Sequence, residues 1–221
     1  MNAVVEIKNT DIWEKIHAEN AWESESDFPS ANAQAFARHH LKGRMKVLDL
    51  GCGHGAAARL FASKGHDVAG IDASATAIQR AREKTKVSLN IDFTIGNFNE
   101  LPCGADFYDA VFSDGALYYN SEKYFMLAVD EIYRVLKKGG VARVYTKSNR
   151  DKWADTGRPL GRNTYIVEAD HYENGLMVYC PPLHRVREIF GKFADAKIGV
   201  EEFNYVGIMN VNSFWVITAR K

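Results

Sequence analysis

Between Met45 and Lys147 the chain alternates five short apolar runs with amphipathic stretches, and that rhythm admits few folds. MKVLDL, HDVAGID, NIDFTIG, DAVFSDG and VARVYTK read as strands. AAARLFASKG reads as a helix closed by Gly65, and ASATAIQRAREKT places Ala73, Ala77, Ile78 and Ala81 on one helical face, with Asp72 or Ser74 positioned to cap it. Phe125, Val129, Ile132 and Leu136 mark a further amphipathic helix, stopped by Lys137-Lys138-Gly139-Gly140. Strands joined through helices of this length need right-handed crossovers, which produce a parallel sheet covered on both faces. The expectation is a doubly wound α/β fold.

The flanks modify that frame. PLHRVREIFGKF predicts a helix, and KIGVEEFNYVG and SFWVITARK predict two more strands, separated by a short loop containing Ile208, Met209, Asn210, Val211 and Asn212. A connection that brief makes the pair antiparallel, because a parallel crossover needs a dozen or more residues. The predicted sheet is therefore Rossmann-like and seven-stranded, mostly parallel, with an antiparallel C-terminal hairpin. Residues 1–44 read as an N-terminal helical cap, with Ile12, Trp13 and Ile16 on helical spacing and Ser30 as N-cap of a second short helix. Residues 45–147 form the core of one domain, 148–182 an insertion without helix or strand periodicity, and 183–221 the closing helix and hairpin.

The chemistry concentrates at VLDLGCGHG, which sets Gly51, Cys52, Gly53 and Gly55 at the carboxyl end of the first strand. Glycines there let the chain turn tightly and let a ligand touch bare backbone, at the edge where open α/β sheets bind ligands. Asp72 ends the second strand, 21 residues beyond Gly51, where an acid can accept hydrogen bonds from ribose hydroxyls. Gly51, Gly53 and Ala56 nearly satisfy the dinucleotide fingerprint, so a nicotinamide-dependent oxidoreductase is one reading. Asp49, just before the glycines, argues for another: a carboxylate repels a pyrophosphate and attracts an ammonium group.

Taken in order, VLDLGCGHG, GID, IGNFNELP, YDAVFSDGALYY and LKKGGVARV resemble the motifs of the class I S-adenosylmethionine-dependent methyltransferases. The resemblance spans residues 45–147 and agrees with the terminal hairpin. It implies that Asp49 and the backbone of Gly51, Cys52 and Gly53 hold the methionine portion of S-adenosylmethionine, and that Asp72 binds the ribose. It further implies that Ile71 or Ala73 lines the adenine. Where the family commonly has Gly-Asp after the third strand, this chain has Gly96-Asn97. The Asn97 carbonyl can still accept from the adenine amino group, and the Phe98 N–H can serve a ring nitrogen. Ser113, Asp114, Tyr118 and Tyr119 follow the fourth strand, which in this family lies beside the transferable methyl. A non-catalytic module that retains the cofactor site is a further alternative.

For the acceptor, the N-terminal cap and residues 148–182 are the expected walls, the latter acting as a lid. His171 and His184 are the first candidates for a general base, ahead of His39, His40 and His54. Arg150, Lys152, Arg158 and Arg162 give the insertion a positive bias, which suggests an anionic acceptor or a solvated face. Lys plus Arg (28) cancels Asp plus Glu (28), so no basic excess calls for nucleic acid. No run of 18 apolar residues suggests a membrane span, and the first residues carry no secretory pattern. Cys52, Cys103 and Cys180 are odd in number and far apart, which disfavours a disulfide framework or a zinc site and fits a reducing cytoplasm. The expected partner is a small-molecule acceptor of a methyl group on oxygen, nitrogen or carbon, with no metal, in a monomer or homodimer.

Overall fold

The computed structural model describes residues 9–19, 28–170, 172–204 and 211–221. In chain order the helices and strands begin with α1 (Asn9–Ala18) and α2 (Ala31–His40), followed by β1 (Lys46–Leu50), α3 (Ala56–Ser63), β2 (Asp67–Asp72), α4 (Ala75–Glu83) and β3 (Ile91–Ile95). Next come β4 (Tyr108–Ser113), α5 (Glu122–Val135), β5 (Leu136–Lys147), α6 (Lys152–Thr156), β6 (Arg158–Gly161), β7 (Thr164–Ile166) and β8 (Met177–Tyr179). The chain closes with α7 (Leu183–Ile189), β9 (Asp195–Phe203) and β10 (Asn212–Arg220).

Seven strands form one sheet in the order β3-β2-β1-β4-β5-β10-β9. The first five are mutually parallel, and β10 runs antiparallel to both β5 and β9. Alternation along each strand explains why both faces are covered. Val47, Ala110, Phe112, Val141 and Tyr145 pack with Phe36, Phe61 and Ile78 from α2, α3 and α4. Leu48, Leu50, Val111, Ala142 and Val144 pack on the other face with Phe125, Ile132, Val186 and Phe190 from α5 and α7. A strand buried on both sides reads as a continuous apolar run, as MKVLDL does. At the start of α4 the cap is Ser74, whose Oγ accepts from the Ala77 N–H at 3.0 Å.

Residues 148–182 depart from the expected irregular segment. They fold into α6 and an antiparallel three-stranded meander, β6-β7-β8. The β6–β7 turn places Arg162 (φ 50°) and Asn163 (φ 56°) in the left-handed region, as a two-residue hairpin turn requires. Strands of three or four residues carry too little alternation to announce themselves, and Arg-Asn is a weak turn signal beside Asn-Gly. The segment leaves and rejoins the sheet at one place: the Asn149 N–H donates to the Pro181 carbonyl (3.2 Å), which also accepts from the Trp215 Nε1–H (2.8 Å). Trp153, Val167, Leu176, Val178 and Cys180 of this segment close a third apolar cluster with Ile16, Tyr118 and Tyr119.

The hinge of this arrangement is Asp151, which is fully buried. Its carboxylate accepts from the Lys147 ammonium (2.9 Å), the Trp153 N–H (3.1 Å) and the Ser213 N–H (2.9 Å), joining β5, α6 and β10. Asp151→Ala leaves the Lys147 charge buried without its partner, a loss of roughly 3–5 kcal/mol. Thermal denaturation is expected to show Tm lowered by roughly 10 °C. The double variant Lys147→Met/Asp151→Leu is expected to recover most of the loss, because an apolar pair of similar volume needs no desolvated charge.

Candidate functional site

At the carboxyl ends of β1 to β4 lies a cavity of about 1000 Å³ that reaches from the glycine loop to the N-terminal helices and the β6-β7-β8 segment. The loop is held open by backbone geometry. The N–H groups of Gly51 and Cys52 both donate to the Ile71 carbonyl at the end of β2 (2.8 and 3.1 Å). Gly51 has φ +76°, and a Cβ there would fall 2.1 Å from the Ala116 Cβ. No other residue fits that position without moving the chain that follows β4.

Asp72 clamps the loop from below. One carboxylate oxygen accepts from the Gly53 N–H and the other from the Ser74 N–H, each at 2.9 Å. A carboxylate offers about four lone-pair sites, and the backbone N–H groups of Gly53, Ala73 and Ser74 do not fill them all in the cavity that Asp72 lines. Burial raises its carboxyl above the usual range.

Asp49 differs, because its Oδ2 is buried without a hydrogen-bond partner. The residue is 3% exposed yet lines the cavity. Burial, with smaller contributions from the charges of Asp114 and Asp72, pushes its carboxyl up to about 7. A buried carboxylate with an idle oxygen, in a residue that lines a cavity, is costly unless a cation comes close to it.

Of the remaining predicted positions, Cys52, Gly53, Ala73, Asn97, Phe98, Asp114 and Tyr118 all line the cavity. Ile71 instead packs into the core, with its carbonyl given to the loop. Asn97 Oδ1 accepts from the Asn99 N–H (3.1 Å) and retains one lone pair. Ser113 is not at the cavity: it is fully buried, and its hydroxyl donates to the Leu50 carbonyl (2.8 Å), pinning β4 to β1. Asp114 accepts from the Ser30 hydroxyl (2.8 Å), and burial raises its carboxyl.

Tyr118 and Tyr119 are buried in the wall, with ring centroids 4.4 Å apart. Burial pushes both hydroxyls well above their ordinary range. His171 lies outside the described residues, although Tyr172 and Glu173 beside it line the cavity. His184 is exposed on α7, away from the cavity, so it is no base for this site. The four basic residues of the insertion are also absent from the lining. Arg150 pairs with Glu202 (3.1 Å) and Arg158 with Glu168 (2.7 Å).

Four groups were invisible as site residues in the sequence. Asn9 donates from Nδ2 to the carbonyls of Tyr119 (2.8 Å) and Met177 (2.7 Å), tying α1 to both walls. Glu14 accepts from the Ser74 hydroxyl (2.6 Å) and the Thr76 N–H (3.2 Å), at the start of α4. His17 faces His54 across the cavity mouth, Nδ1 to Nε2 at 3.1 Å, and burial lowers His17 to about 4. Glu173 accepts from the Tyr119 hydroxyl. All four contacts join residues more than thirty positions apart, so spacing carries no trace of them. Only the acid at the start of α4 follows a general preference, that of helix N-termini for negative charge.

A glycine loop clamped by an acid, an unpaired buried carboxylate beside it, and a parallel sheet ending in an antiparallel hairpin define the class I methyltransferase architecture. The chain matches the family model described as a methyltransferase domain over residues 47–140. It is 31% identical over 147 residues to a sterol 24-C-methyltransferase of Debaryomyces hansenii, covering 61% of this chain and 38% of that protein. It is 27% identical to the malonyl-[acyl-carrier protein] O-methyltransferase of Salmonella typhimurium, covering 61% of this chain and 56% of that one. An S-adenosylmethionine-dependent methyltransferase of Methanosarcina mazei shares the fold, with a TM-score of 0.69 at 19% identity over 84% of this chain and 96% of its own. Over residues 47–140 the chain is thus similar to the methyltransferase-domain family, and its fold is the one seen in S-adenosylmethionine-dependent methyltransferases. It spans about two fifths to just over half the length of these two curated relatives. Among the described residues no helix is long and apolar enough to cross a membrane, and no cluster of three His, Cys, Asp or Glu is placed to hold a metal.

Gly51→Ala combines a strained φ with the Ala116 clash, whereas Gly43→Ala meets a similar φ (+62°) in open space. The open-space substitution is expected to cost about 1 kcal/mol, and Gly51→Ala at least about 2 kcal/mol more because the β4 turn must shift. Parallel denaturation curves, with calorimetric binding of S-adenosylhomocysteine, check this: only Gly51→Ala is expected to lose cofactor binding.

Proposed function

We propose that this protein transfers a methyl group from S-adenosylmethionine to a small-molecule acceptor seated at the aromatic end of the cavity. The observation that carries this reading is Asp49, which lines the same cavity as Tyr118 and Tyr119 and keeps one buried oxygen without a partner. In it Asp49 receives the cofactor's ammonium group, the free lone pairs of Asp72 take the ribose hydroxyls, and Ala73, Asn97 and Phe98 surround the adenine.

When bound, the cofactor supplies a methyl group already activated as a sulfonium. The chain's own task is to orient the acceptor, exclude water and remove a proton where the acceptor carries one. Tyr118, Tyr119 and Trp13 form the wall that orients it; the Trp13 and Tyr119 rings meet edge-on at 4.8 Å. Asn9 and Glu14 hold α1 across the cavity and keep water out. The high-lying tyrosine hydroxyls keep their protons, so the carboxylates Asp114 and Glu173 are the groups suited to accept one.

A nicotinamide dinucleotide is disfavoured because Asp49 faces its pyrophosphate position. A purely cofactor-binding module is disfavoured because the cavity continues past the glycine loop into a second, aromatic compartment. The names of the two curated relatives carry a carbon and an oxygen acceptor, so the acceptor atom varies within the family.

Asp49 fixes the sign of the pH dependence. Its carboxyl is raised to about 7, so below that pH a proton must leave as the ammonium arrives. Affinity for S-adenosylhomocysteine is expected to climb by up to about tenfold per pH unit from pH 5 and level off above about 7. Asp49→Asn should bind more weakly at pH 8, with a flat profile between pH 5 and 7. A steep profile retained in that variant shows that another group titrates. Methyl transfer itself is checked by incubating the protein with methyl-labelled cofactor and a metabolite extract: label in a small molecule supports the reading. Cofactor binding without any labelled product favours the non-catalytic module.

A further inference from the structure

The aromatic end of the cavity has a consistent charge. Asp11, Asp114 and Glu173 line it, and no Lys or Arg among the described residues does. Arg143, whose charge acts on Asp114, lies outside the lining and donates to the Thr218 and Tyr145 hydroxyls. Lys147 lies behind Tyr118, 5.7 Å from its ring centre, and is paired with the buried Asp151 at 2.9 Å. Arg59 donates to the His54 carbonyl (2.6 Å) from outside the lining. His17, lowered by burial, is neutral near pH 7 and adds no positive charge. The acids come with an apolar, electron-rich surface: Trp13, Tyr118, Tyr119, Tyr124 and Tyr172 face the same space. Glu173 is 7% exposed and accepts from the Tyr119 hydroxyl, so its charge sits at the back of the aromatic wall. The raised Tyr118 hydroxyl registers the negative charges of both Glu173 and Asp114.

An anionic acceptor entering this compartment meets like charges and gains no Lys or Arg among the described residues. A cation gains both aromatic faces and carboxylates in a low-dielectric site. The chemistry that uses both is an ammonium group on an apolar body. Resting on the methyltransferase reading, we infer that the acceptor is an aliphatic or arylalkyl amine, bound as its ammonium form between the Trp13–Tyr119 wall and the carboxylates of Glu173 and Asp114.

The reaction balances without a further co-reactant. The bound ammonium gives one proton to a carboxylate, and its nitrogen lone pair forms the new N–C bond. The S–C bond breaks with its electron pair passing to sulfur. The methylated amine leaves as a cation after the carboxylate returns its proton to solvent, so one proton is released per turnover.

The test uses matched probes differing only in charge: tryptamine against indole-3-propionate, and phenethylamine against 3-phenylpropionate. Each is titrated calorimetrically into wild-type protein saturated with S-adenosylhomocysteine, then incubated with S-adenosylmethionine and read by mass spectrometry. The expected result is that at least one amine binds no less than roughly tenfold more tightly than its acid and gains 14 mass units, about one methyl replacing one proton. Glu173→Gln keeps an acceptor for Tyr119 but removes the charge. It should erase most of the preference while binding S-adenosylhomocysteine as the wild type does. Trp13→Leu, which removes an aromatic face and no charge, should lower amine affinity several-fold and leave acid binding unchanged. Acids bound as tightly as amines, or neither class bound at millimolar concentration, overturn the inference and leave the methyltransferase reading standing. If S-adenosylhomocysteine fails to bind the wild type, that underlying reading falls and the inference with it.

Discussion

Two hydrogen bonds to Asp72 connect almost everything that makes the cavity. Its carboxylate is held by the Gly53 N–H on one side and the Ser74 N–H on the other. The end of β2, the glycine loop after β1 and the start of α4 therefore form one rigid unit. Glu14 adds α1 to the same point by accepting from Ser74 and Thr76. A carboxylate at a helix N-terminus is stabilised by the orphan N–H groups and the helix dipole there. Burial raises the Glu14 carboxyl, but the bonds from Ser74 and Thr76 outweigh it and hold the group below its usual range. The cavity roof is thus anchored on the residue that braces its floor.

Asp49 is the counterweight to this well-satisfied frame. It follows Leu48 in a strand whose neighbours are fully buried, so its carboxylate is carried into the interior by the same alternation that packs Val47. One oxygen is left without a partner, and the free protein bears that cost. Unpaired polar groups persist where the ligand supplies what the fold withholds. The difference between Asp72 and Asp49 is the difference between a group that builds a site and one that waits for an occupant.

The segment after β5 shows how a small sheet can be added without disturbing the large one. Asn149 and Pro181 meet at its base, so 31 intervening residues form a closed excursion. Asp151 fastens its start to β10, and Val167, Leu176 and Val178 cover Ile16 and the two tyrosines. The excursion brings Tyr172, Glu173 and Met177 to the aromatic end of the cavity. Two of its basic residues, Arg150 and Arg158, pair with acids outside the cavity, and none of the four lines it, so its overall charge says nothing about the compartment it covers.

The sequence alone determined the sheet and the glycine-loop edge on which the cavity opens, because both rest on local rules. Strand and helix periodicity are set within ten residues, and a hairpin too short for a crossover has one possible direction. Gly51, Asp49 and Asp72 were legible because each sits at a fixed distance from a strand end, where backbone geometry restricts what can stand. The three short strands after β5 were not legible, since three residues cannot show a two-residue period. Nor was the true lining of the acceptor compartment. Ser113 and His184 had suitable chemistry at suitable positions, yet one side chain turns into the sheet and the other to solvent. Asn9, His17 and Glu173 reach the cavity through contacts between distant segments, and Glu14 braces its frame in the same way. Side-chain direction at the end of a strand and the docking of one segment on another are decided by packing. Only the folded chain holds that information.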